Sequence, residues 1–170
     1  PNQKTFGNLF KENGYKTAVV GKWQLNGIEH KIEGFEDNKR PNHFGFDEYC
    51  LWQLTKRKSH GERFANPLIE QNGEFLPRDE DAYGPDIVSD YAVDFIKRNK
   101  DNPFFIYYPM LLVHSPFVPT PDSPEWKSID TRSQKNNRFF IDMVEYMDKV
   151  IGKISKELSK QGIAENTLIL

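Results

Sequence analysis

Three polar side chains follow short apolar runs at places where they could act together. Lys22 and Gln24 lie at and just beyond the end of the run at 17–23, and His114 lies a few residues beyond the run at 104–108. An ammonium, a carboxamide and an imidazole can all donate hydrogen bonds, which suits an oxyanion such as sulfate or phosphate. Two of them also have a structural interpretation, with Lys22 as a solvated strand end and His114 as a structural histidine. Spacing alone leaves both interpretations open.

The elements that would position these side chains are three helix-to-strand units. Helical periodicity covers residues 5–13, a stretch that opens at Gly84-Pro85, and residues 138–160. Each is followed by a short apolar run that predicts a strand, at 17–23, 104–108 and 167–170. Short connections between helix and strand predict an α/β fold with a parallel or mostly parallel sheet flanked by helices. Ligands bind beyond the carboxyl ends of such strands, which selects Lys22, Gln24 and His114.

Two long stretches lack this periodicity. Residues 26–83 are polar with scattered Gly and Pro, and we expect surface loops with minor structure. Residues 109–134 contain five prolines, which excludes a helix and favours extended backbone. The first stretch also carries aromatic side chains that could stack on a sugar or aryl ring or form local core: Phe35, Phe44, Phe46, Tyr49 and Trp52.

Composition excludes several classes of function. The 170 residues are 37% hydrophobic and 28% charged, which fits one folded domain, and the net charge of −2 gives no overall attraction to nucleic acid. No apolar run approaches the ~20 residues of a membrane helix. The single cysteine, Cys50, excludes an internal disulfide and is expected to be a buried or loop thiol. We expect no metal site, because the histidines show no paired spacing and the acidic run at 79–81 is typical of solvated surface.

Several segments resemble the type I, formylglycine-dependent sulfatases. Residues 14–25, Gly-Tyr-Lys-Thr-Ala-Val-Val-Gly-Lys-Trp-Gln-Leu, are similar to the family signature that ends in Gly-Lys-Trp-His-Leu. Further likenesses follow in the family's order and cover almost the whole chain: a Gly-Phe-Asp-Glu segment within 42–48, a Pro-Phe-Phe strand at 103–108, a His-x-Pro-Phe loop at 114–117, and the helix and turn from 143–148 to 166–168.

The resemblance implies an alkaline-phosphatase-like fold and hydrolysis of a sulfate ester. It implies that Lys22 contacts the sulfate and stabilises the leaving oxygen, and that His114 holds the sulfate and acts as general acid, since histidine exchanges protons near neutral pH. Gln24 stands where the motif usually has histidine. Glutamine cannot shuttle a proton, so Gln24 is expected to bind and position substrate.

The resemblance also implies components that this sequence lacks. The nucleophile motif Cys/Ser-x-Pro-x-Arg is absent, as are the aspartates and the Asp-Asn pair that hold calcium in the family. We therefore expect residues 1–170 to be an internal fragment of one sulfatase catalytic domain, with a sheet incomplete at both ends and no activity alone. The calcium ligands and the cysteine or serine that becomes formylglycine are expected outside this chain.

Two other functions remain open from the sequence. One is a phosphodiesterase or phosphatase of the same superfamily, and the other is a non-catalytic binding domain that retains the fold. The expected partner is a sulfated small molecule or carbohydrate, with no nucleic acid and no membrane-spanning segment. The sequence leaves oligomeric state and cellular location open.

Overall fold

The computed structural model of the chain describes residues 4–170, and within them it has four α-helices and five strands. The helices are α1 (Phe6–Glu12), α2 (Arg40–His43), α3 (Gly84–Asn99) and α4 (Phe139–Lys160). The strands are β1 (Lys16–Lys22), β2 (Glu48–Trp52), β3 (Ile69–Gln71), β4 (Glu74–Phe75) and β5 (Phe104–Tyr107). They form one mixed sheet in the order β4-β3-β2-β1-β5.

Strand β1 is the centre of the sheet. It pairs in parallel with β2 on one side, where Val20 lies opposite Cys50, and with β5 on the other, where Ala18 lies opposite Ile106. The predicted parallel α/β sheet is confirmed for these three strands. The antiparallel pairings of β2 with β3 and of β3 with β4 make the whole sheet mixed.

The sheet carries an apolar layer on each face, because successive residues of a strand point to opposite sides. Val20 of β1 packs with Val88 of α3 and Met143 of α4. Its neighbour Val19 packs on the other face with Phe46, and α1 covers that face, where Phe6 meets the Phe46 ring at a centroid distance of 6.1 Å. Helices therefore cover both faces and fix the strand ends that bear the polar side chains.

The helix ends follow their sequence signals. Thr5 caps α1 in a capping box with Asn8, and Gly14, with φ +82°, lies just past its end. Pro85 occupies the first turn of α3, where a missing N–H costs nothing. The predicted bounds of α1 and α4 are confirmed to within one residue. No helix among residues 4–170 is long and apolar enough to cross a membrane.

Two predictions about regular structure were wrong. Residues 26–83, expected to be surface loops, contain β2, β3 and β4, and β2 is nearly solvent-free from Tyr49 to Trp52. Residues 167–170, expected to be a strand, form none, and the Leu168 side chain is 80% exposed. An apolar run becomes a strand only where a neighbour supplies ladder hydrogen bonds, and these residues pair with no strand of the described chain.

Candidate functional site

Lys22 is held at the carboxyl end of β1 by a close backbone crossing. Its amide N–H donates to the carbonyl of Pro109 at 2.7 Å. The preceding residue, Gly21, has φ +115°, and a Cβ there would lie 2.2 Å from the same carbonyl oxygen. Only glycine fits this crossing without strain, so the Gly-Lys pair of the motif fixes the direction in which the lysine leaves the sheet.

Lys22, Gln24 and His114 all line a single cleft of about 650 Å³ at this edge of the sheet. The structure thus brings together the three side chains that the strand-end argument selected. The same cleft is lined by residues that the strand-end argument did not select: Glu29, Trp52, Gln53, Lys58, Arg63, Ser115, Pro116 and Lys135.

Arg63 is the buried cation of the cleft. Its residue is only 3% exposed, and its guanidinium lies over two aromatic rings, 5.2 Å from the centre of Trp52 and 4.9 Å from that of Phe64. Burial lowers the pKa of Arg63, yet arginine stays charged in proteins. The two rings compensate part of the lost hydration by cation–π attraction. A fixed positive charge therefore lies in the wall of the cleft.

Arg63 and His114 share one backbone carbonyl. The Ser115 carbonyl oxygen lies 2.7 Å from Nδ1 of His114 and also accepts from Nη2 of Arg63. Because a carbonyl only accepts, this contact assigns the proton of neutral His114 to Nδ1. Arg63 Nη2 lies 3.2 Å from the same ring nitrogen, but both atoms then carry hydrogens, so this contact is not a hydrogen bond. Nε2 of His114 is left as the nitrogen available to a ligand.

The cleft is strongly cationic. Burial and then repulsion from Arg63 and Lys58 lower the pKa of Lys22. Lys135 adds a fourth cation to the lining. Among the described residues that line the cleft, Glu29 is the single acidic one. Positive charges that repel one another in this way are relieved by a bound anion, which pairs with all of them.

Gln24 belongs to a chain of side-chain hydrogen bonds. Its Nε2 donates to Oε1 of Gln53 at 3.1 Å, and Nε2 of Gln53 donates to Oε1 of Glu29 at 2.5 Å. Gln53 is buried, whereas Gln24 is exposed at the cleft. Gln24, at the position where the motif usually has histidine, is thus bound through its amide nitrogen, and its amide oxygen is open to the cleft.

The described residues do not fit a calcium ion. Calcium takes carboxylate and carbonyl oxygens, and the cleft presents mainly cations. No group of three His, Cys, Asp or Glu residues in the described part of the chain could hold a metal. Asp81 of the acidic run instead pairs with Arg132 at 2.8 Å, and its side chain is 81% exposed.

Cys50 is a structural thiol, as predicted. It lies in β2 with no exposed surface, and burial raises its pKa to about 12. A thiol that stays protonated in a closed core is a poor nucleophile. The conversion to formylglycine therefore has no candidate at this position.

Three cleft residues that the sequence analysis missed, Glu29, Gln53 and Arg63, come from the stretch 26–83. Gln53 follows β2, and Arg63 follows a 3₁₀ turn, Lys58–His60; neither element was predicted from the sequence. Glu29 lies in another short 3₁₀ turn, Ile28–His30. The one sequence feature that could have indicated a site at Arg63 is its position next to the aromatic Phe64. Of the aromatic residues considered for sugar stacking, Phe46, Tyr49 and Trp52 are at most 2% exposed and belong to the core.

The fold and the cleft define an α/β domain with a cationic cleft beyond the ends of its parallel strands, and comparisons with known proteins identify its family. The family model described as Sulfatase matches residues 1–170. The chain belongs to the sulfatase family and has its alkaline-phosphatase-like fold.

Curated relatives cover the chain from end to end. It is 30% identical to an uncharacterized sulfatase of Escherichia coli, YdeN, over 100% of the chain and 32% of that protein. It is 28% identical to the human N-acetylgalactosamine-6-sulfatase over 99% of the chain and 31% of that protein. The chain therefore spans about a third of the length of these relatives.

Solved structures agree on the fold. A structure from work on the metabolism of multiple glycosaminoglycans by Bacteroides thetaiotaomicron matches 98% of this chain and 44% of that one, with a TM-score of 0.69 and 20% identity. The structure of Ps i-CgsB matches 92% of this chain and 36% of that one, with a TM-score of 0.62 and 26% identity.

Proposed function

We propose that the full-length protein hydrolyses a sulfate ester and that this chain supplies the cationic part of the sulfate site. The observation that carries the proposal is the convergence of Lys22, Arg63 and His114 on one cleft at the carboxyl ends of parallel strands. Membership of the sulfatase family supports it. We propose that residues 1–170 form part of a single catalytic domain.

Each cation has a distinct role in the proposal. The Lys22 ammonium pairs with a sulfate oxygen and stabilises charge on the leaving oxygen. His114, with Nδ1 bound to the Ser115 carbonyl, presents Nε2 to the sulfate or leaving oxygen and, when protonated, donates a proton there. Arg63 adds a fixed charge and holds the same carbonyl, while Gln24 binds substrate through its free amide atoms.

The remaining components belong to other parts of the protein in this proposal. Calcium would supply further charge neutralisation, and a formylglycine derived from Cys or Ser would supply the nucleophile. Support comes from the cationic lining of the cleft and the buried Cys50, which leave no place for either among the described residues. We propose that this chain alone shows no sulfatase turnover.

The relatives suggest the kind of substrate. Two of them, from human and from Bacteroides thetaiotaomicron, are N-acetylgalactosamine-6-sulfatases, which act on a sulfated sugar. We propose a sulfated carbohydrate as the partner of the full-length protein. The open, polar cleft of about 650 Å³ has room for a sugar ring around the sulfate.

The test compares matched esters on the full-length protein. Turnover of 4-nitrophenyl sulfate well above that of 4-nitrophenyl phosphate supports a sulfatase, and the opposite order supports a phosphatase of the same superfamily. Lys22→Ala and His114→Ala are each expected to lower sulfate turnover. Unchanged turnover in both variants removes these side chains from the active site, and turnover of neither ester by the metal-loaded protein supports a non-catalytic binding domain.

A further inference from the structure

Three side chains form a hydrogen-bond chain that leads from the carboxylate of Glu29 into the cleft. Glu29 accepts a hydrogen bond from Nε2 of Gln53 at 2.5 Å, and Oε1 of Gln53 accepts one from Nε2 of Gln24 at 3.1 Å. The three residues come from separate places: Gln24 follows β1, Gln53 follows β2, and Glu29 lies in the turn Ile28–His30.

The carboxylate sets the direction of every bond in this chain. An ionised Glu29 can only accept, so Gln53 must turn its NH₂ group toward it. The carbonyl oxygen of Gln53 therefore faces Gln24, which must donate its own NH₂ group. The carbonyl oxygen of Gln24 is left as a hydrogen-bond acceptor at the cleft, and it makes no hydrogen bond to any residue between 4 and 170.

The middle of the chain is held in place. Gln53 is only 5% exposed and has φ +65°, a left-handed conformation that is uncommon outside glycine. Arg57 holds the turn that carries Glu29, since its Nε donates to the Ile28 carbonyl at 3.2 Å. A buried glutamine with both ends bonded cannot flip its amide without losing both bonds, so the direction is fixed before a ligand arrives.

We propose that Glu29 and Gln53 are positioning residues that make Gln24 a hydrogen-bond acceptor for a hydroxyl group beside the bound sulfate. This inference rests on the proposed function for the location of the sulfate. The other polar groups of the cleft are mainly donors, so an acceptor at Gln24 adds selectivity that the cations cannot supply.

A charge exchange tests the direction of the bonds in the full-length protein. Gln53→Met removes both hydrogen bonds, so the Gln24 amide is free to turn over. The double variant Gln53→Glu with Glu29→Gln keeps both bonds, because the new amide at position 29 donates to the new carboxylate at position 53, which still accepts from Gln24. The double variant has the same net charge as the wild type. Glu33→Gln is the control for loss of a nearby exposed carboxylate.

Two readouts follow the series. The side-chain amide resonance of Gln24, in protein labelled with ¹⁵N-glutamine, is expected to lose its hydrogen-bonded shift in Gln53→Met and to stay hydrogen-bonded in the double variant. The kcat/KM for a sulfated sugar is expected to fall about tenfold in Gln53→Met, the equivalent of one hydrogen bond, and to stay within about threefold of wild type in the double variant. If kcat/KM for 4-nitrophenyl sulfate falls as well, the hydroxyl belongs to the protein's own nucleophile. If only kcat/KM for the sulfated sugar falls, the hydroxyl belongs to the substrate.

The outcomes separate this inference from the proposed function. An unshifted Gln24 resonance in Gln53→Met, or a double variant as impaired as Gln53→Met, overturns the inference even if Lys22→Met abolishes turnover. Turnover that survives Lys22→Met contradicts the sulfate site, whereas the amide resonance still tests the bond direction. A thermal melt of each variant shows whether it is folded.

Discussion

Arg63 and His114 are bound to the same carbonyl oxygen, that of Ser115, one through Nη2 and the other through Nδ1. A buried arginine thus fixes both the place and the protonated nitrogen of an exposed histidine. The arrangement separates two tasks: Arg63 stays inside the wall, 3% exposed, while His114 reaches the cleft. The geometry of the proposed general acid depends on a residue 51 positions away in the chain.

Replacing Arg63 tests this coupling. Arg63→Met is expected to lower the affinity for sulfate about 10- to 100-fold, since it removes a charge and a hydrogen bond to the Ser115 carbonyl. Arg63→Lys keeps the charge but not the planar fork, so it should recover only part of the affinity. Isothermal titration with sulfate measures both. Equal affinity in Arg63→Met and wild type contradicts a role for this guanidinium.

The pH dependence of sulfate binding should report on Lys22. Burial and the charges of Arg63 and Lys58 lower its pKa, so the ammonium, and with it the affinity, is lost on the alkaline side earlier than for an ordinary lysine. Removing the charge of Arg63 raises the pKa of Lys22. The alkaline limb of affinity against pH should therefore move to higher pH in Arg63→Met, although affinity at neutral pH falls. A limb that stays in place contradicts this electrostatic coupling.

Gly21 is expected to contribute strongly to the stability of the fold. In Gly21→Ala the new Cβ would meet the Pro109 carbonyl at 2.2 Å with φ at +115°, so the crossing that holds Lys22 must open. We expect a loss of about 3 kcal/mol in the free energy of unfolding, measured by urea denaturation. Gly152→Ala is the matched control, because no atom lies within 4 Å of its Cβ position and the helix should gain up to about 1 kcal/mol. Equal stability of the two variants would contradict the steric argument.

Glu48 links the start of β2 to α3 and makes stability depend on pH. Hydrogen bonds from Arg98, at 2.9 and 2.7 Å, together with one from Tyr91 hold the pKa of Glu48 below its usual value against the opposing effect of burial. A lowered carboxyl pKa stabilises the fold above the unfolded-state pKa, and this stability is lost as pH falls through the folded-state value.

The variant Glu48→Gln tests this link. It is expected to cost about 1 kcal/mol at neutral pH, because the pair is partly exposed, and progressively less as the pH falls through the pKa of Glu48. Thermal melts of wild type and variant from neutral to acidic pH provide the comparison. A difference that grows in acid has the wrong sign for this account.

Long periodic elements and contiguous motifs could be predicted from the sequence. The helix α4 and the strand β1 are determined by local pattern, and the strand-end rule then placed Lys22, Gln24 and His114 at one edge of the sheet. These three side chains meet because the strands before them pair in parallel, and the helix-to-strand units in the sequence predict such a parallel sheet.

The remainder depends on contacts between distant segments. Strand β2 is five residues long, and its burial comes from its pairing with β1, which no local pattern reveals. Arg63 is fixed in the wall of the cleft because Trp52 and Phe64 enclose it and because the Ser115 carbonyl lies within reach. The direction of the Gln24 amide likewise depends on Glu29, which reaches it only through Gln53 in the folded chain.

The central claim is that this cleft binds sulfate, and titration of the full-length protein with inorganic sulfate tests it most directly. We expect saturable binding that Lys22→Met weakens at least about tenfold. Lys127→Met, which removes an exposed lysine outside the cleft lining, should leave the affinity within about twofold. Sulfate affinity that is the same in wild type and Lys22→Met would contradict the account.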